Sequence, residues 1–329
     1  MRKRALVVIC IGVPISIFAL VGCPPSFVDF CSGTAECGLT EAGPGQIDAG
    51  TDAGPSCDLD AAFVSVDAVP GITDLEWVGK GGARLSPDEK TIYFDGAQDA
   101  GTLSGLVTAK WDSVKSRFGE TRALTSPASS VDEFDPVVST DQMTLVFSRS
   151  APGSDSRNFF ISTRTDAMAP FTGERVMTAL NSPVFDGTPF LTSDAGELWF
   201  TSDRDAGRHQ IFRAFAADNW FADAAVIPVP SLTAPPTLDL SPVLSSDGKT
   251  LFFATDASGD KAFRDIWEAH RDLTDQDFKA ARPVAELNLP DATEYPSWLS
   301  PDGCRLYMTR NGPSGAKRNI YVAERPAKK

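Results

Sequence analysis

Five segments of this chain repeat one short pattern, and their spacing constrains the fold more than any other feature. Ser241–Phe253 reads S-P-V-L-S-S-D-G-K-T-L-F-F, an apolar strand, an Asp-Gly turn and a second apolar strand. Relatives begin at Ala83 (A-R-L-S-P-D-E-K-T-I-Y-F), Pro136 (P-V-V-S-T-D-Q-M-T-L-V-F), Pro189 (P-F-L-T-S-D-A-G-E-L-W-F) and Ser297 (S-W-L-S-P-D-G-C-R-L-Y-M). The turn aspartates are Asp88, Asp141, Asp194, Asp247 and Asp302, so successive gaps are 53, 53, 53 and 55 residues. A fixed period near 50 in strand-rich units is the signature of a propeller or a similar array.

Each unit carries two further strand patterns. The third strands are expected at 106–111, 158–163, 210–214, 265–269 and 319–323, and a fourth segment opens on Phe118, Phe171, Phe221 and Phe278. Four strands per unit is the build of a propeller blade, with the first strand nearest the axis. The last unit has no fourth strand of its own, while an orphan strand, A-F-V-S-V from Ala62, precedes the first unit. Phe63 lies 55 residues before Phe118. The expectation is therefore all-β: a five-bladed β-propeller of four-stranded blades over 59–326, closed by the N-terminal strand completing the last blade. Closure of this kind leaves no open sheet edge at the seam.

The region before the repeats reads as an address and a tether. Arg2-Lys3-Arg4, an apolar run over 5–20, and Leu20-Val21-Gly22-Cys23 follow one another. This resembles the signal peptide and lipobox of bacterial lipoproteins, which implies removal of 1–22 and acylation of the Cys23 thiol. The alternative, a transmembrane anchor, needs about 20 apolar residues, and this run is shorter. Pro24 stands where aspartate marks inner-membrane retention in enteric bacteria, which points to a lipid-anchored location at the outer membrane of the cell envelope. Residues 23–58 are rich in Gly, Pro and Asp and read as a flexible, lipidated linker. Cys31 and Cys37 bracket five residues and are expected to pair outside the cytoplasm, with metal binding as the alternative. Cys57 precedes the closing strand and Cys304 follows the last turn. They are the candidates for a second disulfide, although the starts of the strands they precede should lie roughly 10 Å apart, whereas a disulfide needs Cα atoms within about 7 Å.

Ser-Pro-Asp-Gly at 300–303, Ser-Asp-Gly at 246–248, and T-S-D-R at 201–204 leading into Gln210-Ile211-Phe212 resemble the WD-like repeats of TolB-type β-propellers over about 60–325. The resemblance implies a fold and no activity, because these motifs are turn chemistry: Asp accepts from nearby backbone N–H groups and Gly takes positive φ. Glu89 and Gln142 replace the glycine, and in Ala195-Gly196 it is expected one position late. No counterpart of the α/β domain of TolB is recognisable.

The net charge is −14, or −17 without Arg2, Lys3 and Arg4, which excludes nucleic acid and anionic membrane surfaces as natural partners. G-x-S-x-G, P-loop and dinucleotide motifs are absent, and no cofactor or metal is expected. One constellation repeats: Glu133, Asp186, Asp239 and Glu294 stand eight residues before their turn aspartates, with Lys80 in the first unit. Converging on the axis they would form a negative funnel at the channel mouth for a cation or a basic segment; alternatively each caps its own loop. The tryptophans are expected between blades, with Trp77 or Trp220 the candidates to floor a sugar site. The expected role is a monomeric, non-enzymatic binding module for an envelope protein or polymer. The alternative is a carbohydrate-active enzyme using the axial carboxylates Asp186, Asp239 and Glu294.

Overall fold

A run of backbone–side-chain bonds recurs five times and sets the blade geometry. A computed structural model of the chain describes residues 56–328 apart from 100–101, 126–128, 152–155, 206, 217–219, 231, 234–236, 260–261 and 313–316. The expected signal segment, the expected linker up to residue 55, and Cys23, Cys31 and Cys37 lie outside the described residues, whereas Ser56, Cys57 and Asp58, expected in the flexible linker, are paired at the seam. In each repeat the hydroxyl of Ser86, Ser139, Thr192, Ser245 or Ser300 donates to the turn aspartate two residues on, at 2.5–2.6 Å. The same hydroxyl accepts the N–H of the residue that opens the second strand, at 2.9–3.0 Å. The residue after the aspartate is left-handed in every turn: φ is 56° at Glu89, 63° at Gln142, 56° at Ala195, 66° at Gly248 and 74° at Gly303. The glycine of the third turn is therefore not displaced to Gly196; Ala195 occupies the left-handed position itself.

The strand order follows. A short strand β1 (Ser65–Ala68) precedes the first blade, β2 (Val78–Leu85), β3 (Thr91–Ala97) and β4 (Gly105–Asp112), with the fourth strand split into β5 (Arg117–Phe118) and β6 (Arg122–Ala123). The second blade is β7 (Glu133–Val138), β8 (Thr144–Ser150), β9 (Arg157–Thr163) and β10 (Thr172–Val176). The third is β11 (Asp186–Leu191), β12 (Glu197–Ser202), β13 (Gln210–Phe215) and β14 (Val226–Pro228). The fourth is β15 (Asp239–Leu244), β16 (Thr250–Thr255), β17 (Asp265–His270) and β18 (Arg282–Pro283). The fifth is β19 (Thr293–Leu299), β20 (Arg305–Asn311) and β21 (Asn319–Glu324), completed on its outer edge by β1, whose Ser65 and Ala68 face Glu324 and Tyr321. The protein is a five-bladed β-propeller closed by its N-terminal strand.

Side chains on the two faces of each blade meet those of its neighbours, and the five apolar clusters correspond to the five interfaces. Tyr93 and Leu106 meet Leu145 and Phe147 between blades one and two. Phe159 crosses Phe200 edge to face at 5.2 Å between two and three. Trp199 and Ile211 meet Leu251 and Phe253 between three and four. Phe63 joins Phe252 and Met308 at the seam, and Phe94 meets Tyr307 and Ile320 where the fifth blade returns to the first. Burying such rings, at about 150–250 Å² each, drives the ring together.

The seam carries a covalent link as well. Cys57 and Cys304 are disulfide-bonded with Cα atoms 5.6 Å apart. The segment before β1 bends back past the end of β21: Cys57 bridges Ala327, Asp58 N donates to the Pro326 carbonyl at 2.9 Å, and Ser56 reaches Asp302 at 3.1 Å. That return spans the gap between the strand starts.

Candidate functional site

The innermost strands are kinked at one register. Gly82, Asp135, Thr188 and Ser241 have φ of 59°, 53°, 48° and 55°, six residues before their turn aspartates, and β19 places Pro296 there with its own bulge. In blades two, three and four the bulge turns an N–H toward the preceding blade. Asp135 N donates to Asp95 Oδ1 at 3.0 Å, Thr188 N to Asp135 Oδ2 at 3.3 Å, and Ser241 N to Thr201 Oγ1 at 3.0 Å. Non-glycine residues in this conformation cost of order 1–3 kcal/mol, and the chain of inter-blade bonds around the axis holds them there.

The four repeat-placed carboxylates lie at the opposite end of these strands from the hairpin turns, and all are buried. Glu133 accepts from Arg149 Nε and Nη2 at 3.1 and 2.5 Å, and Arg149 also reaches Glu174. Asp186 accepts from Arg204 Nη2 at 2.7 Å and from the N–H and hydroxyl of Ser182 at 2.6 and 2.8 Å. Glu294 pairs with Arg310 at 2.8 Å, and Asp239 takes the Thr233 hydroxyl at 2.7 Å and the Leu232 N–H at 3.4 Å. Glu133 and Glu294 lie directly across from their arginines in the strand register. Each acid is thus tied to its own blade, by an arginine of the second strand or by its entry loop, and none stands open to solvent as a funnel requires. Lys80, in the same position of blade one, is fully buried and donates to the Leu75 and Trp77 carbonyls. Burial raises the carboxyls of Glu133 and Asp239 and pushes Glu294, whose Oε2 has no bonding partner, up to about 7.

The charge at the axis comes from residues the repeat does not announce. Arg318, entering β21, lies across Gly81, where a Cβ would meet its guanidinium at 2.7 Å, and pairs with Asp95 at 2.8 Å. Arg157 stacks on the Phe134 ring at 3.6 Å and faces Asp135 at 3.4 Å. Burial pushes Asp95 up to about 6, with Arg318 opposing and Asp135 reinforcing the shift. Arg84, in β2, reaches past blade two and donates to the Pro189 carbonyl of β11 at 2.8 Å, so that its side chain crosses the axis. The same register holds Val137, Phe190, Val243 and Trp298 in the other blades. That break in an apolar column was the available signal for Arg84; nothing local marked Asp95, Arg157 or Arg318.

Arg84 floors a cavity of about 560 Å³ at the hairpin end, walled by all five innermost strands, with Phe190, Leu191, Leu244 and Trp298 among its apolar surfaces. At its rim Thr140 donates to the Ser193 carbonyl at 2.6 Å and Ser246 to the Pro301 carbonyl at 2.9 Å, so adjacent turns are tied together. A second recess of about 690 Å³ lies at the seam, between the closing segment Leu59–Phe63 and blade four, and contains Glu268, His270 and Arg282. Trp77, half-buried, packs on Phe94, and Trp220, half-buried, packs beside Phe221; neither lines the two cavities described above. Among the described residues no group of three or more His, Cys, Asp or Glu side chains is placed to hold a metal.

No family model and no curated protein matches the chain. Among solved structures, a protein of unknown function from Dyadobacter fermentans aligns at a TM-score of 0.52 with 11% identity, covering 82% of this chain and 99% of that one. TolB from Acinetobacter baumannii aligns at 0.49 with 18% identity over 76% of this chain, which spans 56% of the TolB chain. A putative glycoside hydrolase from Bacteroides ovatus aligns at 0.49 with 13% identity, over 78% of this chain and 93% of that one. Likeness at these identities concerns the fold alone.

Proposed function

We infer that the protein is a non-enzymatic binding module of the cell envelope, anchored through Cys23, whose ligand enters the hairpin-end cavity. One observation carries the reading: the cavity draws its walls from every blade, and its volume falls within the roughly 300–1,000 Å³ of small-ligand and peptide-end sites. The axial carboxylates serve as cross-strand or loop-capping partners on this account. The acidic surface favours neither nucleic acid nor bare anionic lipid, so the partner is an envelope protein or polymer. Immobilised protein tests this against detergent-solubilised envelope extract. A bulky Ser193→Trp, Ser246→Trp double variant at the rim is expected to lose its retained component, while Val114→Trp, on an exposed loop, keeps it. Equal retention by both variants contradicts the assignment.

A second reading, a carbohydrate-active enzyme using Asp186, Asp239 and Glu294, draws on Glu294 alone. A carboxyl held near 7 by burial suits a general acid. Hydrolysis of envelope polysaccharide that vanishes in Glu294→Gln would favour it.

A further inference from the structure

We propose that the hairpin-end cavity recognises the C-terminal carboxylate of a peptide with apolar final residues, and that Arg84 is the residue that receives it. The proposal deepens the binding-module reading above and rests on it.

Arg84 is only 5% exposed, and among the described residues no carboxylate lies within ion-pairing distance of it. Its Nη1 and Nη2 donate to the Ala83 and Pro189 carbonyls at 3.2 and 2.8 Å, and its Nε has no partner. A buried guanidinium carries five donors, and leaving donors and charge uncompensated is costly. The two axial aspartates are already paired with Arg318 and Arg157. Both aspartates also act on Arg84 through space, but each is in direct ion-pair contact with another arginine, so Arg84 has no carboxylate of its own.

The repeat shows that architecture does not demand the charge. Val137, Phe190, Val243 and Trp298 fill the same register in the other four blades. A charged residue that breaks an apolar column, bonded internally only to carbonyls and to no carboxylate of its own, is better explained by an external anion. Planar guanidinium matches carboxylate bidentately, which is the interaction such a donor set is shaped for. Phe190, Leu191, Leu244 and Trp298 around it suit apolar side chains next to that carboxylate. Turn hydroxyls such as Thr140 and Ser193 at the rim suit the peptide groups that follow, and favour a peptide end over a plain acyl chain.

The test uses the whole folded chain and the fluorescence of Trp298, which is half-buried in the cavity wall. The probes are N-acetyl-leucyl-phenylalanine, the same dipeptide as its C-terminal amide, and octanoate, all at pH 7. The acid is expected to bind at least tenfold more tightly than the amide and than octanoate. In Arg84→Leu, which restores the apolar column and should fold, the acid is expected to fall to the affinity of the amide. Equal binding of acid and amide by the unsubstituted protein overturns the proposal, as does binding of neither, and this comparison needs no variant to fold. Octanoate binding as tightly as the peptide overturns the peptide assignment, and acid preference surviving in Arg84→Leu overturns the role of Arg84. Loss of the carboxylate preference while the rim variants still lose the envelope component sinks this proposal and leaves the binding-module reading standing.

Discussion

Arg305, opening the second strand of the last blade, donates through Nε to Glu89 Oε2 at 2.7 Å, where the first blade turns between its first two strands. Tyr307 adds its hydroxyl at 3.1 Å to the same oxygen. Glu89 holds a left-handed φ of 56° that glycine would take without cost. Gln142 repeats the arrangement one interface on, accepting from the Tyr93 hydroxyl at 2.7 Å. At these two turns the glycine has been exchanged for a side chain that reaches the neighbouring blade.

The exchange has opposite consequences at different turns. Glu89→Gly relieves about 1 kcal/mol of backbone strain but removes the half-buried pair with Arg305 and Tyr307, so a net loss of about 1–2 kcal/mol is expected. Ala195 bears the same conformation with no bonding side chain. Ala195→Gly is therefore expected to be neutral or to gain about 0.5 kcal/mol. Urea denaturation of the two variants checks the difference in sign; a gain for both would mean that the Glu89 bonds contribute nothing.

The disulfide joins residues 247 apart in sequence. Loop-entropy arguments assign a cross-link of that span about 4–5 kcal/mol through the unfolded chain. Cys304→Ser is expected to lower the denaturation midpoint by a corresponding amount without changing the fold, because β1 remains hydrogen-bonded to β21. Peptide mapping without reduction should recover Cys57 joined to Cys304. A peptide joining Cys57 to Cys31 or Cys37 would contradict the arrangement.

Stability should also depend on pH in a definite direction. Burial raises Glu294 from 4.5 to about 7 and Asp95 from 3.8 to about 6, so the folded state holds these protons longer than the unfolded one. Their contribution is full below about pH 4 and disappears as the pH rises to about 7. The turn carboxylates act oppositely. The Ser86 and Thr192 hydroxyls lower Asp88 and Asp194, whose contribution is present above pH 4 and lost as the pH falls below it. Thermal melting should peak near pH 5 and be lower at pH 8, by up to about 4 kcal/mol in stability at one pKa unit per ~1.4 kcal/mol. Glu294→Gln should shrink that difference, and an unchanged profile would remove Glu294 from the explanation.

What was legible in the sequence was what is local. The 53-residue period marks five turns because Ser-x-Asp chemistry closes within six residues, and the orphan strand before the first blade foretold the seam. The acids were located correctly along the chain, but their surroundings were not. Glu133–Arg149 and Glu294–Arg310 share a spacing of 16, a second regularity carried by the same repeat. A carboxylate's partner matters more than its place in a period, and the partner sits on a different strand. Asp95 with Arg318 joins residues 223 apart, and no pattern of neighbours encodes that. Arg84 was visible as a charge in an apolar register, yet only the closed ring gives it an axis to cross.

Residues 1–55 lie outside the described structure, and the proposed anchor is tested chemically. Mass spectrometry of the membrane fraction should find an N-terminal peptide beginning at acylated Cys23. A Cys23→Ser protein that stays membrane-anchored after cleavage at the same site would contradict lipidation there.

A partner is proposed to enter the cavity at the hairpin end of the ring. Photocrosslinking in intact cells measures it directly, with p-benzoylphenylalanine placed singly at Thr274 on the cavity rim or at Val114, which is 93% exposed in the β4–β5 turn. A discrete adduct is expected from Thr274, suppressed by Ser193→Trp, and none from Val114. Adducts from Val114 with none from Thr274 would place recognition on another surface and contradict it.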